Sequence, residues 1–268
     1  MRTCRHRANR HPTLRRGLSL TELLASVLIL TLIAGSLGAV ASAVRSSNAY
    51  CTGYTHAAQH ARVVLARIES NIAKATANES FPGCRVFATT DAGYTFPDTL
   101  VIWKPTTTAV SPTGLPRVNE LLVYTYNPSA PNELWEIRDT TNTTTVPAWN
   151  ATSSWNTLIN SLKSNNTATR VVVTDQLYTA RPSAGSSPRG AIRFLLLAGP
   201  TDAQITAYRS GTLPWDQLDW PQDRYGSASG TRMVVCQTEL LMSASDGVST
   251  GQILPFFGSS SFSYQMSR

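Results

Sequence analysis

The chain has 268 residues, of which 42% are hydrophobic, 8% aromatic and 15% charged. With a mean hydropathy of −0.12, these values exclude a wholly disordered chain and a polytopic membrane protein, and the length suits one globular domain with an appendage. The net charge of +7 suggests a nucleic-acid partner, but six of the 23 basic residues are arginines in the first 17 positions, leaving 17 against 16 acids and a body near neutrality. No nucleic-acid partner is therefore expected.

The leader contains Arg2, Arg5, Arg7, Arg10, Arg15 and Arg16 and no acid. From Leu18 to Val44 the only charge is Glu22, and Leu23 to Val44 carries none. As a helix this uncharged run would extend roughly 33 Å, the thickness of a bilayer core. The arginines ahead of it predict a cytoplasmic N-terminus. Hydropathy alone leaves a cleaved secretory signal, with Ala39-Val40-Ala41 as its site, and a retained anchor equally open. Glu22 favours the anchor, because a carboxylate beside an apolar run is costly unless it finds a partner.

The stretch Arg15-Arg16-Gly17-Leu18-Ser19-Leu20-Thr21-Glu22-Leu23-Leu24 resembles the processing site of type IV prepilins and type II secretion pseudopilins. The resemblance implies that a prepilin peptidase cuts after Gly17 and methylates the new amine on Leu18. Glu22 then becomes the fifth mature residue and pairs with the free amine of an adjacent subunit. Leu18 stands where the family usually has phenylalanine. The resemblance further implies a minor pilin or pseudopilin, not an enzyme and without a cofactor, placed at a filament tip or acting in initiation. Its partners would be other pilin or pseudopilin subunits, the peptidase, an inner-membrane assembly platform and membrane lipid. The location implied is the bacterial inner membrane, single-pass with an extracytoplasmic head, and then a periplasm-spanning or extracellular filament. The alternative from another class is a signal-anchored extracytoplasmic binding or hydrolytic domain acting alone.

Beyond Val44 a helical stripe continues through Tyr50, Tyr54, Ala57, Ala61, Leu65, Ile68, Ile72 and Ala75, with Arg62, Arg67, Glu69 and Lys74 off it. Gly53 lies outside that stripe, and Asn78 with Phe81-Pro82-Gly83 supplies the stop. The expected fold is α+β: a long N-terminal helix packed on a mostly antiparallel sheet. Its parts are a leader at 1–17, a membrane segment at 18–44, the amphipathic half of the same helix at 45–78 and a β-rich head at 79–268. Within the head, Leu100 to Trp103 is a buried run, and 121–126 and 134–138 form a hairpin around Asn127 to Asn132. Further strands are expected at 171–173, 192–197 and 233–241. A short helix at 155–162 is expected to be capped by Ser153 or Ser154. Polar loops fill 104–118, 139–150 and 180–190. The hairpin with Tyr124 and Leu134-Trp135, and the helix end at 61–68 followed by Phe81 to Cys84, also resemble the J-type minor pseudopilin and the PilW group of minor pilins.

Catalytic chemistry finds little footing. The histidines are His6, His11, His56 and His60, so residues 61–268 have no base for a Ser-His-Asp or Cys-His site. His56 and His60 share a helix face without a third ligand, and read as two polar helix residues. Asp216, Asp219 and Asp223 with Gly226 only loosely approach a calcium loop. After loss of Cys4 with the leader, Cys51, Cys84 and Cys236 remain. A helix unbroken from Cys51 to about Asn78 spans roughly 40 Å, and the six residues to Cys84 extend at most about 20 Å. Cys51–Cys84 is then out of reach. Cys51–Cys236 would require the final strands to reach the membrane-proximal helix, and three buried thiols are the alternative to any bond. The expected disulfide is Cys84–Cys236, with Cys51 free, because Cys236 is central in an apolar strand that should pack near the helix–sheet junction where Cys84 enters the head.

Overall fold

The computed structural model describes residues 19–109, 111–244 and 252–268. It is an α+β chain: among the described residues a long N-terminal helix α1 (Leu20–Ala73) is followed by ten strands with helices α2 (Thr152–Ser164) and α3 (Asp202–Arg209) between them. Two compact units divide at Ala49 and Tyr50. The second holds the outer part of α1 and all the strands.

In that second unit a five-stranded antiparallel sheet has the order β1 (Cys84–Asp91), β2 (Tyr94–Trp103), β3 (Leu121–Tyr126), β4 (Leu134–Arg138) and β5 (Thr169–Thr174). The expected hairpin is present, with Val123 opposite Ile137 and Tyr126 opposite Leu134. A three-stranded antiparallel sheet runs β8 (Ile192–Gly199), β9 (Ser229–Ala244) and β10 (Gln252–Ser267), with β9 in the centre. The short ribbon β6 (Thr179–Ala180) and β7 (Arg189–Gly190) sends Arg189 to Asp98 and Thr89 of the larger sheet.

One core joins these layers. Ala57, Ala61, Val64, Leu65, Ile68 and Ile72 of α1 pack with Leu100, Ile102, Leu122 and Leu134 of the larger sheet and Phe194, Cys236, Leu240 and Met242 of the smaller one. A second core lies on the other face of the five-stranded sheet. There Trp155, Ile159 and Leu162 of α2 meet Val101, Trp103, Val123 and Ile137. Trp155 stacks on Phe87 with centroids 5.0 Å apart and donates its indole N–H to the Ala148 carbonyl at 3.0 Å. Ile205, Trp215, Leu218, Trp220 and Met266 form a third, smaller cluster.

Two of the off-stripe charges of α1, Arg67 and Glu69, turn out to be clamps. Arg67 and Glu69 are two residues apart, about 200° around the helix, and so point to opposite flanks. Arg67 grips Glu136 of β4 through both carboxylate oxygens, at 2.6 and 3.0 Å. Tyr124 donates to the same carboxylate at 2.7 Å and accepts from Asn71 at 2.5 Å. Burial pushes the Glu136 carboxyl up, but the Arg67 fork and the Tyr124 hydroxyl outweigh it, and its pKa lies below the ordinary value. On the other flank, the Glu69 carboxylate accepts from the Ser259 amide at 3.1 Å, and the Glu69 backbone carbonyl accepts from the Ser260 hydroxyl at 3.0 Å. Helix and β10 approach so closely there that a Cβ on Gly258 would lie 2.6 Å from Glu69 Oε1 and 2.9 Å from Leu65 Cδ2, so that a larger residue would displace both side chains.

Several expectations need correction. Tyr50 and Tyr54 are half exposed, at 50% and 47%, while Gly53 is buried with Ala57 and Ala61. The buried stripe thus passes through the small residues, where the helix can come close to its neighbours. The helix ends at Ala73, before Asn78, because the Thr76 amide turns to the Trp103 carbonyl at 2.8 Å. Asn78 instead shapes the following turn, accepting from the amides of Ser80 and Phe81 at 2.8 Å each. Ala151, without a side-chain cap, precedes α2, and Ser153 and Ser154 lie inside its first turn.

The Cys84–Cys236 bond is not formed. Both residues are free thiols buried in the shared core, and Cys51 is free and exposed. Burial, then the neighbouring Cys236, raises the Cys84 thiol well above its ordinary range. Burial pushes Cys236 to about 12 against a hydrogen bond from Thr238. With so little thiolate at neutral pH, both sulfurs are poor partners for exchange.

Candidate membrane-assembly segment

Gly17 and Leu18, the expected processing residues, lie outside the described residues. Ser19, just ahead of α1, closes a capping box with Glu22. The Glu22 amide donates to Ser19 Oγ at 3.3 Å, and the Ser19 amide donates to Glu22 Oε2 at 3.0 Å. The Ser19 hydroxyl adds a third contact to that oxygen at 3.1 Å. Two of the orphan amides at the helix start are thereby satisfied, and a negative charge sits at the positive end of the helix dipole. Glu22 thus has a local role beside the intermolecular one that the resemblance implies. The Ser-x-x-Glu signature was the signal for its local one. Glu22 Oε1 makes no contact among the described residues.

From the cap the helix is apolar and bare. Residues 19–48 are all exposed, including Leu20 at 78%, Leu30 at 64% and Leu32 at 67%. An apolar surface of this length is untenable in water unless something covers it. Three of its hydroxyls are engaged within the helix. Ser26 donates to the Glu22 carbonyl, Thr31 to that of Leu28 and Ser36 to that of Ile33, each at 2.8 Å. These three hydroxyls are thereby satisfied within the helix, as a lipid environment requires. The segment is long and apolar enough to cross a membrane.

The head shows no comparable chemistry. Among the described residues no three side chains of His, Cys, Asp and Glu converge as a metal cage. Asp216, Asp219 and Asp223 are exposed, and Asp219 accepts from Gln204 at 2.6 Å. His56 is exposed and His60 half-buried on α1.

Comparison with protein-family models, with curated proteins and with solved structures gave no match. The class is therefore defined by architecture: a membrane-competent N-terminal helical segment and an antiparallel sheet domain. That architecture is compatible with a pilin-like fold.

Proposed function

We propose that the chain is a minor pilin or pseudopilin subunit, processed by a prepilin peptidase and assembled into a type IV pilus or type II secretion pseudopilus. One observation carries the reading. Glu22 stands at the head of a bare apolar helix, five residues past Gly17, with one carboxylate oxygen capping the helix and the other without a hydrogen bond among the described residues. Cleavage after Gly17 would free an amine on Leu18. In hydrocarbon an isolated amine and an isolated carboxylate are each costly, so pairing them across two subunits favours docking and sets an axial register. The exposed run then finds its cover first in lipid and afterwards among neighbouring helices.

Two substitutions test this. Gly17→Glu places a bulky anion where the backbone must approach the peptidase, and the chain should keep its leader and migrate as the heavier form. Normal processing would sink the assignment. Glu22→Gln keeps an acceptor for the capping box but removes the charge. It should insert and fold normally yet lose crosslinking to neighbouring subunits. Unchanged crosslinking would refute the pairing role.

A further inference from the structure

Strand β8 reads Ile192-Arg193-Phe194-Leu195-Leu196-Leu197-Ala198-Gly199, a nearly continuous apolar run. Such runs belong to strands covered on both faces. Leu100 to Trp103 of β2 is one, and all four of its residues are buried. In β8 only the inner face is covered: Phe194 is 1% exposed, while Leu195 and Leu197 are 43% and 48% exposed. The register extends this open face across the sheet. Leu197 lies opposite Val235, Leu195 opposite Gln237 and Arg193 opposite Glu239, which in turn faces Phe257. Phe257 is 68% exposed and Met233 37%. A shallow depression of about 480 Å³ lies on this face, bounded in part by Arg193, Leu195, Glu239 and Phe257. Arg193 and Glu239 are cross-strand neighbours, yet neither side chain makes an ion pair or hydrogen bond among the described residues.

We propose that the outer face of the β8–β9–β10 sheet is a self-association surface, occupied by the same face of a second copy across a two-fold axis. The charges select this occupant. The face holds one cation and one anion side by side, so a two-fold brings each Arg193 against the other copy's Glu239 and makes two complementary pairs. A polyanion or an acidic protein would meet Arg193 favourably but be repelled by Glu239. Leu195, Leu197, Met233 and Phe257 supply the apolar centre that a specific interface needs. Eight residues at about 3.3 Å and three strands about 4.8 Å apart give a small footprint, so the dimer is weak and concentration-dependent. The proposal stands independently of the filament reading, since it requires neither cleavage at Gly17 nor pairing by Glu22.

The test is sedimentation of the full-length chain in density-matched detergent micelles, with circular dichroism to check the fold. Wild type should show a monomer–dimer equilibrium. R193E and E239R should each weaken it at least about tenfold, because each places like charges across the two-fold. An equimolar mixture of the two variants should regain dimer, as should the R193E/E239R double variant, since both pairs are then opposite in sign again. Leu197→Ser weakens the contact without altering charge and serves if a charge variant unfolds. A monomer at all concentrations would overturn the proposal. So would a dimer indifferent to every one of these changes, which would place association on the apolar helix.

Discussion

The two larger sheets of the second unit are built from similar apolar strands, but they differ in how many layers cover them. The five-stranded sheet has α1 on one face and α2 on the other, and its run at Leu100 to Trp103 is buried throughout. The three-stranded sheet shares the α1 core on its inner face, while Leu195, Leu197 and Phe257 on its outer face remain open. A continuous apolar strand therefore signals two-sided burial only where the chain supplies both layers. Helix α2, with Trp155, Ile159 and Leu162 turned inward, is the layer that the smaller sheet lacks.

The sharpest break of this comparison is removal of that layer. Trp155→Ala deletes the fully buried ring that stacks on Phe87 and should cost about 3–5 kcal/mol in urea unfolding. A loss below about 1 kcal/mol would show that α2 does not seal the larger sheet. A smaller effect comes from the clamp that ties α1 to it. Glu136→Gln removes the charged partner of Arg67 and Tyr124, an exchange worth about 1.5–3 kcal/mol at neutral pH. The folded pKa of Glu136 lies below its ordinary 4.5. The carboxylate's stabilisation is thus present above that ordinary value and is lost as pH falls through the lower folded one. The gap between wild type and Glu136→Gln should accordingly close on acidification; a gap that widens would reverse the sign. The smallest effect should come from Leu197→Ser on the open face, within about 0.5 kcal/mol of the wild-type monomer. A loss like that of Trp155→Ala would mean that this face is covered within the chain.

The sequence was most legible where one period dominates. The outer half of α1, the β3–β4 hairpin and the strand at Leu100 to Trp103 followed from spacing and turn residues. Strand β10 escaped because Ser259, Ser261 and Ser263 place weak strand formers on its exposed side, and its hold on Glu69 is a long-range contact. Helix α3 is only eight residues long and too short to show a periodic stripe; its cue was the capping box of Thr201 and Gln204. Tyr50 and Tyr54 were drawn into the buried stripe by hydrophobicity, whereas the packing selected the smaller Gly53. The cysteines show the limit of topological reasoning. Cys84 and Cys236 do meet in one core, as their strands suggested, but sharing a core does not bond two protonated thiols.

The filament reading turns on how the chain begins once it is made. Mass spectrometry of the N-terminal peptide from membrane-extracted protein addresses that directly. The account predicts a peptide that starts at Leu18 and carries one methyl group on its amine. A mature start near Ala41, or a chain that retains its arginine leader, would contradict it.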